Sequence, residues 1–172
     1  MNVHVLFDQS GMLPDAYGKY CAETDKIGWS CVRSFPFEVT DLPAGTVALA
    51  WVFLDWDSVP VCGFPWMHWA AWTSVPPSTV AEGLGFALPD NASRQSADIH
   101  QGWNSAAKDP DRSAKTGYVG PCPPNADHVY TLRVVALDQE PQIAEPFWAN
   151  ELIGACRGHV LGEASIPLPS RC

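Results

Sequence analysis

The chain has 172 residues and a net charge of −9, with 10 Lys and Arg against 19 Asp and Glu. This balance excludes the basic track that a nucleic-acid interface needs and the polybasic face that anionic membranes attract. No apolar segment reaches the roughly 18 residues that span a bilayer, and Met1 to Asp8 lacks a signal-peptide pattern. We therefore expect a cytoplasmic protein without stable membrane insertion.

The composition predicts one domain over residues 1–172, built mainly from strands. Hydrophobic residues make up 47% of the chain and include eight Trp, while 16 Pro and 13 Gly favour many turns over long helices. The six cysteines contain no Cys-x-x-Cys pattern, so no metal site built from cysteines is predicted. No cofactor is expected. In a cytosolic setting the expectation for these cysteines is reduced thiols.

The first clear strand runs from Thr46 to Asp55 and is apolar on both alternating faces, which is typical of an inner strand covered on both sides. It ends abruptly in Asp55-Trp56-Asp57. Carboxylates at the end of a buried strand either cap a turn through the local backbone or face a site. Both alternatives stay open from this segment alone.

A second, shorter strand is predicted over Pro65 to Trp72, where alternation places His68, Ala70 and Trp72 on one face. Taken alone, His68 is typical of a structural histidine; its polar neighbours make it a candidate ligand. The polar stretch from Pro89 to Thr116 then predicts a long surface loop, which leads into the next motif and is placed to cover it.

The most informative stretch is Gly117 to Pro124, followed by His128 to Asp138, a run rich in β-formers. Prolines and glycine make the first segment a stiff, preorganised turn. In the strand that follows, His128 and Tyr130 are two residues apart and share a face. This arrangement predicts a pocket at the end of a core, although the two side chains could instead only cap loop carbonyls.

One helix is predicted near the C-terminus, and its apolar stripe is interpreted as core packing. The residues that recur at helical spacing are Ala149, Leu152, Ile153, Cys156 and Val160. Gly158 is placed to terminate this helix.

Five motifs carry a resemblance to a known family. They are Asp55-x-Asp57 with Pro60, His68-Trp69, Gly117 to Pro124, His128-x-Tyr130 and Ala136 to Asp138. In order and spacing they resemble the phosphatidylethanolamine-binding protein family, and in particular its prokaryotic, Raf kinase inhibitor-like branch. The resemblance implies a mainly β, Greek-key β-sandwich with a few short helices and a small anion pocket near one end.

The resemblance also implies a set of ligand-binding residues, and no catalytic or metal-binding residues. That set is Asp55, Asp57, His68, Gly120, Pro121, His128 and Tyr130. A phosphate-like group would be held by the imidazole N–H groups, the phenol and backbone N–H groups around Gly120, while the carboxylates orient the imidazoles or meet an ammonium group. If protonated imidazole is the chief donor, affinity should rise as pH falls through about 6.5.

Three functions follow as hypotheses. The first is a non-enzymatic protein that binds a small phosphate- or carboxylate-containing ligand, phosphoethanolamine-like, with the resemblance adding regulation of a kinase or protease partner. The second is a phosphoester hydrolase that uses the same histidines and carboxylates, either with a metal or by acid–base chemistry. The third is an interaction protein or homodimer that uses exposed tryptophans, for which Trp56, Trp66 and Trp103 are the candidates.

Overall fold

The computed structural model describes all 172 residues as ten strands and four short α-helices. The strands are β1 (Asn2–Val5), β2 (Lys26–Ile27), β3 (Ser30–Cys31), β4 (Phe37–Thr40), β5 (Ala48–Asp55), β6 (Trp66–Ser74), β7 (Phe86–Leu88), β8 (Ile99–Gln101), β9 (His128–Leu137) and β10 (Val160–Ser170). The helices are α1 (Val59–Cys62), α2 (Pro77–Ala81), α3 (Ala92–Gln95) and α4 (Ala149–Cys156). Short 3-10 turns cover Asp15–Tyr17, Glu23–Asp25 and Ser105–Lys108.

The strands form an antiparallel β-sandwich. The larger sheet has the order β10-β9-β5-β6-β8, the smaller one has the order β1-β4-β7, and β2 and β3 form a separate two-stranded ribbon. Within the larger sheet, β9 returns through a long connection to lie beside β5, which gives the Greek-key order β9-β5-β6-β8. This architecture confirms the predicted mainly β fold with few short helices.

β5 lies at the centre of the larger sheet and is covered on both faces, as its sequence predicts. On one face Leu49, Trp51 and Phe53 belong to a cluster of 19 buried residues between the two sheets, which we call the inner core. On the opposite face Ala48, Ala50 and Val52 belong to a second cluster, the outer core, which lies under α4. Small residues on the outer face let the helix approach the sheet closely.

The C-terminal helix is confirmed, but its apolar stripe is only partly buried. α4 ends at Cys156, and Gly158 follows with φ at 82°, a left-handed conformation that glycine adopts without strain. Leu152 and Cys156 are buried in the outer core. Ile153 is 40% exposed and Val160 is 44% exposed at the start of β10, so the prediction that they pack in the core is wrong. Residues four apart share a helix face, whereas the next residue lies about 100° away.

The predicted surface loop over residues 89–116 contains regular structure. α3, β8 and a 3-10 turn lie within it, and β8 pairs with β6 at the edge of the larger sheet. Ile99 is the buried residue of this strand, and the His100 ring stacks on Trp72 with centroids 3.9 Å apart. A three-residue edge strand with one buried side chain has too little apolar periodicity to be predicted.

Two further observations concern the whole chain. All six cysteines are free thiols. None of the helices has both the length and the apolarity that crossing a membrane requires.

The packing of α4 predicts unequal effects for two adjacent substitutions. Leu152→Ala leaves a cavity in the outer core and should lower the free energy of unfolding by about 2–5 kcal/mol. Ile153→Ala, the matched control on the exposed side, should lower it by less than about 1 kcal/mol. Urea unfolding of both variants measures this difference, and equal losses would contradict the assignment of the buried face.

Candidate functional site

A pocket of about 290 Å³ lies where the inner core ends, beside the last residue of β5 and the first residues of β9. Asp55 pairs with Tyr130 across these two strands, so the strand ends bring acidic and aromatic side chains together. Six of the seven predicted ligand-binding residues line the pocket. They are Asp55, His68, Gly120, Pro121, His128 and Tyr130.

Asp55 and His128 form a buried, hydrogen-bonded pair at the floor of the pocket. Asp55 and His128 are 4% and 3% exposed, and the His128 Nδ1–H donates to Asp55 Oδ2 over 2.8 Å. The other carboxylate oxygen, Asp55 Oδ1, accepts the backbone N–H of Ser58 over 3.1 Å. Both alternatives predicted for a carboxylate at this strand end therefore hold for Asp55: it caps the turn and it also faces the pocket.

The second ring nitrogen of His128 is also occupied. Nε2 lies 3.0 Å from the side-chain oxygen of Asn125. With Nδ1 donating to a carboxylate, Nε2 donates to this oxygen if the ring is an imidazolium, or accepts from the amide NH₂ if the amide is reversed. In either form a ligand reaches His128 only by displacing Asn125.

A β-bulge aims His68 into the pocket. The pairing of β5 with β6 shifts between Phe53↔Trp69 and Leu54↔Met67, so His68 is the extra residue. Its ring packs edge-on against Tyr130 with centroids 5.1 Å apart. A bulge places an additional side chain on one face of the sheet.

This bulge overturns one expectation from simple alternation. Ala70 and Trp72 belong to the outer core, whereas Trp69 belongs to the inner core and the His68 ring contacts inner-core aromatics. His68 therefore does not share a face with Ala70 and Trp72. Alternation within a strand is reliable only between bulges.

His68 is held in one neutral form. Its Nδ1–H donates to the carbonyl of Val119 over 2.8 Å, and the Val119 N–H donates to the His68 carbonyl over 3.0 Å. Burial lowers the pKa of His68 to about 4, although the bond to Val119 and the charge of Asp55 oppose the shift. At neutral pH its Nε2 is thus an acceptor, which corrects the expectation of a protonated donor.

Tyr130 supplies a donor that does not depend on pH in the physiological range. Its ring is 1% exposed and packs against Phe53 with centroids 5.4 Å apart. Burial raises the pKa of the Tyr130 phenol well above its usual value, the negative charge of Asp55 and a hydrogen bond with this carboxylate raise it further, and a hydrogen bond from the backbone N–H of Cys122 opposes the shift. The hydroxyl therefore stays protonated.

Gly120 has a structural role instead of the predicted donor role. Its N–H donates to the carbonyl of Cys31 over 2.8 Å and is not free for a ligand. A Cβ at this position would lie 2.4 Å from the carbonyl oxygen of Tyr17, so only glycine fits. Because Pro121 has no N–H, the next backbone donor is Cys122, beside the Tyr130 hydroxyl.

Asp57 lies outside the pocket lining. Its Oδ2 accepts the backbone N–H of Val129 over 2.8 Å, which ties the turn after β5 to the start of β9. The two carboxylates of the Asp-Trp-Asp motif have different partners because β5 ends at Asp55 and Asp57 lies in the turn beyond it, where strand alternation no longer applies.

Two cations and two indoles lie at the mouth of the pocket, and of these four only Trp66 was a candidate from the sequence, as an exposed tryptophan. Lys19 donates to the carbonyl of Pro123 over 3.1 Å, and the guanidinium carbon of Arg112 lies 3.7 Å from the ring centroid of Trp29 and 4.6 Å from that of Trp66. All four side chains line the pocket. Trp66 begins β6, whereas Lys19, Trp29 and Arg112 lie outside the strands and helices, so no sequence pattern brings the four together.

The family model described as phosphatidylethanolamine-binding protein matches residues 5–169. The chain belongs to this family. One relative is the uncharacterised protein YxkA of Bacillus subtilis, which is 39% identical to this chain over 99% of both proteins.

Solved structures agree with the family's fold. A putative phosphatidylethanolamine-binding protein homologue from Chlamydia trachomatis superposes with a TM-score of 0.74 at 22% identity, over 99% of this chain and 97% of its own. YbcL of E. coli, described as a member of the mammalian family, gives a TM-score of 0.71 at 21% identity, over 99% and 98% of the two chains. At these identities the comparisons establish the fold alone.

No three His, Cys, Asp or Glu side chains are grouped so that they could hold a metal ion. The Asp55 and His128 side chains are instead bonded to each other.

The depressed pKa of His68 predicts a pH dependence of stability. The unfolded chain binds a proton at His68 below about pH 6.5, whereas the folded protein does so only near pH 4. The free energy of unfolding should therefore fall as pH drops between these values, by roughly 3 kcal/mol from this residue. Urea unfolding across this range should show a shallower dependence in His68→Gln.

An NMR titration of the His68 ring supplies an independent check. Its signals should stay unchanged from pH 8 to about pH 5. A midpoint near the ordinary value of about 6.5 would contradict the neutral, buried assignment.

Proposed function

We propose that this protein binds a small molecule or a terminal group that carries a phosphate or carboxylate and is phosphoethanolamine-like. The observation that carries the proposal is a single pocket in which the Tyr130 phenol and the backbone of Cys122 lie together beside the buried Asp55–His128 pair. Membership of the phosphatidylethanolamine-binding protein family supports a ligand-binding role for the fold.

The donors suit an anion because both are present at every physiological pH. Hydrogen bonds from such groups to a charged oxygen contribute about 1.5–3 kcal/mol each when water is excluded. The negative charge of Asp55 opposes an anion in this pocket, and its two carboxylate oxygens accept hydrogen bonds from Ser58 and His128. These bonds hold the floor of the pocket in place, and the charge of Asp55 favours a ligand that carries an ammonium group beside its anionic group.

The neutral His68 ring adds a requirement on the ligand. Its Nε2 accepts a hydrogen bond at neutral pH, so the ligand should carry a donor close to its anionic group. A zwitterion such as O-phosphoethanolamine has both, since its ammonium group can donate to His68 while its phosphate meets Tyr130 and Cys122. Matching acceptors and donors in one pocket distinguishes such a ligand from a simple anion.

The same chemistry extends to protein partners. In the proposed regulation of a kinase or a protease, a phosphorylated or carboxylated side chain of the partner would enter this pocket. The pocket is open at the mouth formed by Lys19, Arg112, Trp29 and Trp66, where such a chain would pass.

The proposal predicts that removing one hydroxyl weakens binding without disturbing the fold. Tyr130→Phe keeps the buried ring and should lower the affinity for O-phosphoethanolamine by about 10- to 100-fold, the effect of losing one hydrogen bond to a charged group. Isothermal titration calorimetry at neutral pH measures the change.

Tyr118→Phe is the matched control for this experiment. Its hydroxyl donates to the carbonyl of Tyr17 over 2.6 Å and the residue does not line the pocket, so affinity should stay within about twofold. Equal affinities for the wild type and Tyr130→Phe, or a wild-type protein that binds neither O-phosphoethanolamine nor phosphate at millimolar concentration, would contradict the proposed function.

A further inference from the structure

Arg112 occupies an unusual position for a cation on an acidic protein. Its side chain is only 20% exposed, and its guanidinium contacts Trp29 and Trp66 at the mouth of the pocket. Cation–π contacts of this kind contribute about 0.5–2 kcal/mol each, more as water is removed. Two such contacts hold the charge in place instead of letting it move through solvent.

The backbone around Arg112 is organised by a neighbouring carboxylate. Asp109 Oδ1 accepts the N–H of Asp111 over 2.9 Å, and Asp109 Oδ2 accepts the Arg112 Nε–H over 3.2 Å. This uses one of the five N–H groups of the guanidinium. The terminal nitrogens form no hydrogen bond within the protein, although Arg112 lines the pocket.

The charge of Arg112 is felt at the pocket floor. Its positive charge is one of the causes that lower the pKa of His68, which lies at the bulge of β6. The other cation at the mouth of the pocket is Lys19, which donates a hydrogen bond to the carbonyl of Pro123. Arg112 therefore keeps four unused N–H groups for a ligand that enters the pocket, more than the three-donor ammonium of Lys19 has left.

We propose that Arg112, held between Trp29 and Trp66, makes this pocket select doubly charged phosphate monoesters over singly charged carboxylates. The inference rests on the proposed function and specifies its ligand class. A planar guanidinium forms two parallel hydrogen bonds to a phosphate, and a dianion gains twice the Coulomb attraction of a monoanion. The indole rings of Trp29 and Trp66 fix the plane of the guanidinium before a ligand binds.

The test compares methyl phosphate with acetate at pH 7.5, where the phosphate monoester is mainly dianionic. Wild-type protein should bind methyl phosphate more tightly than acetate. Arg112→Gln should lower the affinity for methyl phosphate by about 10- to 100-fold and the affinity for acetate by about 3- to 10-fold. The preference for methyl phosphate over acetate should therefore fall. Calorimetry or NMR titration gives both affinities.

Three further variants separate local from general effects. Arg94→Gln removes an exposed arginine outside the pocket and changes the net charge by the same unit, so it should keep the wild-type preference. Arg112→Lys keeps the charge without the planar fork and should lie between wild type and Arg112→Gln. Trp29→Leu leaves the net charge unchanged. It should still lower the affinity for methyl phosphate by about 2- to 30-fold, because Arg112 loses its stacking contact with the indole.

The outcomes distinguish this inference from the proposed function. If Arg112→Gln keeps both affinities and their ratio while Tyr130→Phe loses binding, Arg112 does not select the ligand but the pocket still binds it. Equal binding of methyl phosphate and acetate by the wild type would also overturn the inference. If the wild type binds neither probe at millimolar concentration, the proposed function and the inference fall together.

Discussion

The hydrogen bond between Asp55 and His128 joins the ends of the two central strands of the larger sheet, and the arrangement of the pocket depends on it. Both partners are buried, so removing one would leave an uncompensated polar or charged group, at a cost of about 3–5 kcal/mol. Asp55 also caps the turn that leads from the end of β5 to Ser58, and Tyr130 lies directly opposite Asp55 in the sheet. One interaction thus positions the turn, the floor and the phenol together.

The other half of the site depends on an irregularity. The bulge at His68 turns this ring towards Tyr130, and the paired hydrogen bonds with Val119 attach it to the segment that carries Gly120 and Cys122. Burial keeps the ring neutral, which makes the pocket an acceptor on one side and a donor on the other. This division of polarity is what suits a ligand with both an anionic group and a hydrogen-bond donor.

The sequence predicts the central strands β5, β6 and β9 and part of the site because alternation and strand ends are local properties. β5 follows from its apolar pattern, β9 follows from a run rich in β-formers, and the shared face of His128 and Tyr130 follows from their spacing. The orientation of His68 and the occupied N–H of Gly120 could not be predicted, because a bulge and a contact with Cys31 decide them. Arg112 was missed because its position depends on tertiary contacts between segments far apart in sequence.

A crystal structure of the protein soaked with O-phosphoethanolamine at neutral pH tests the central claim most directly. We expect the phosphate within hydrogen-bond distance of the Tyr130 hydroxyl and the Cys122 N–H, with the Asp55–His128 bond intact beneath it. A phosphate bound elsewhere with this pocket empty, or a structure in which Asp55 and His128 are separated, would contradict the account.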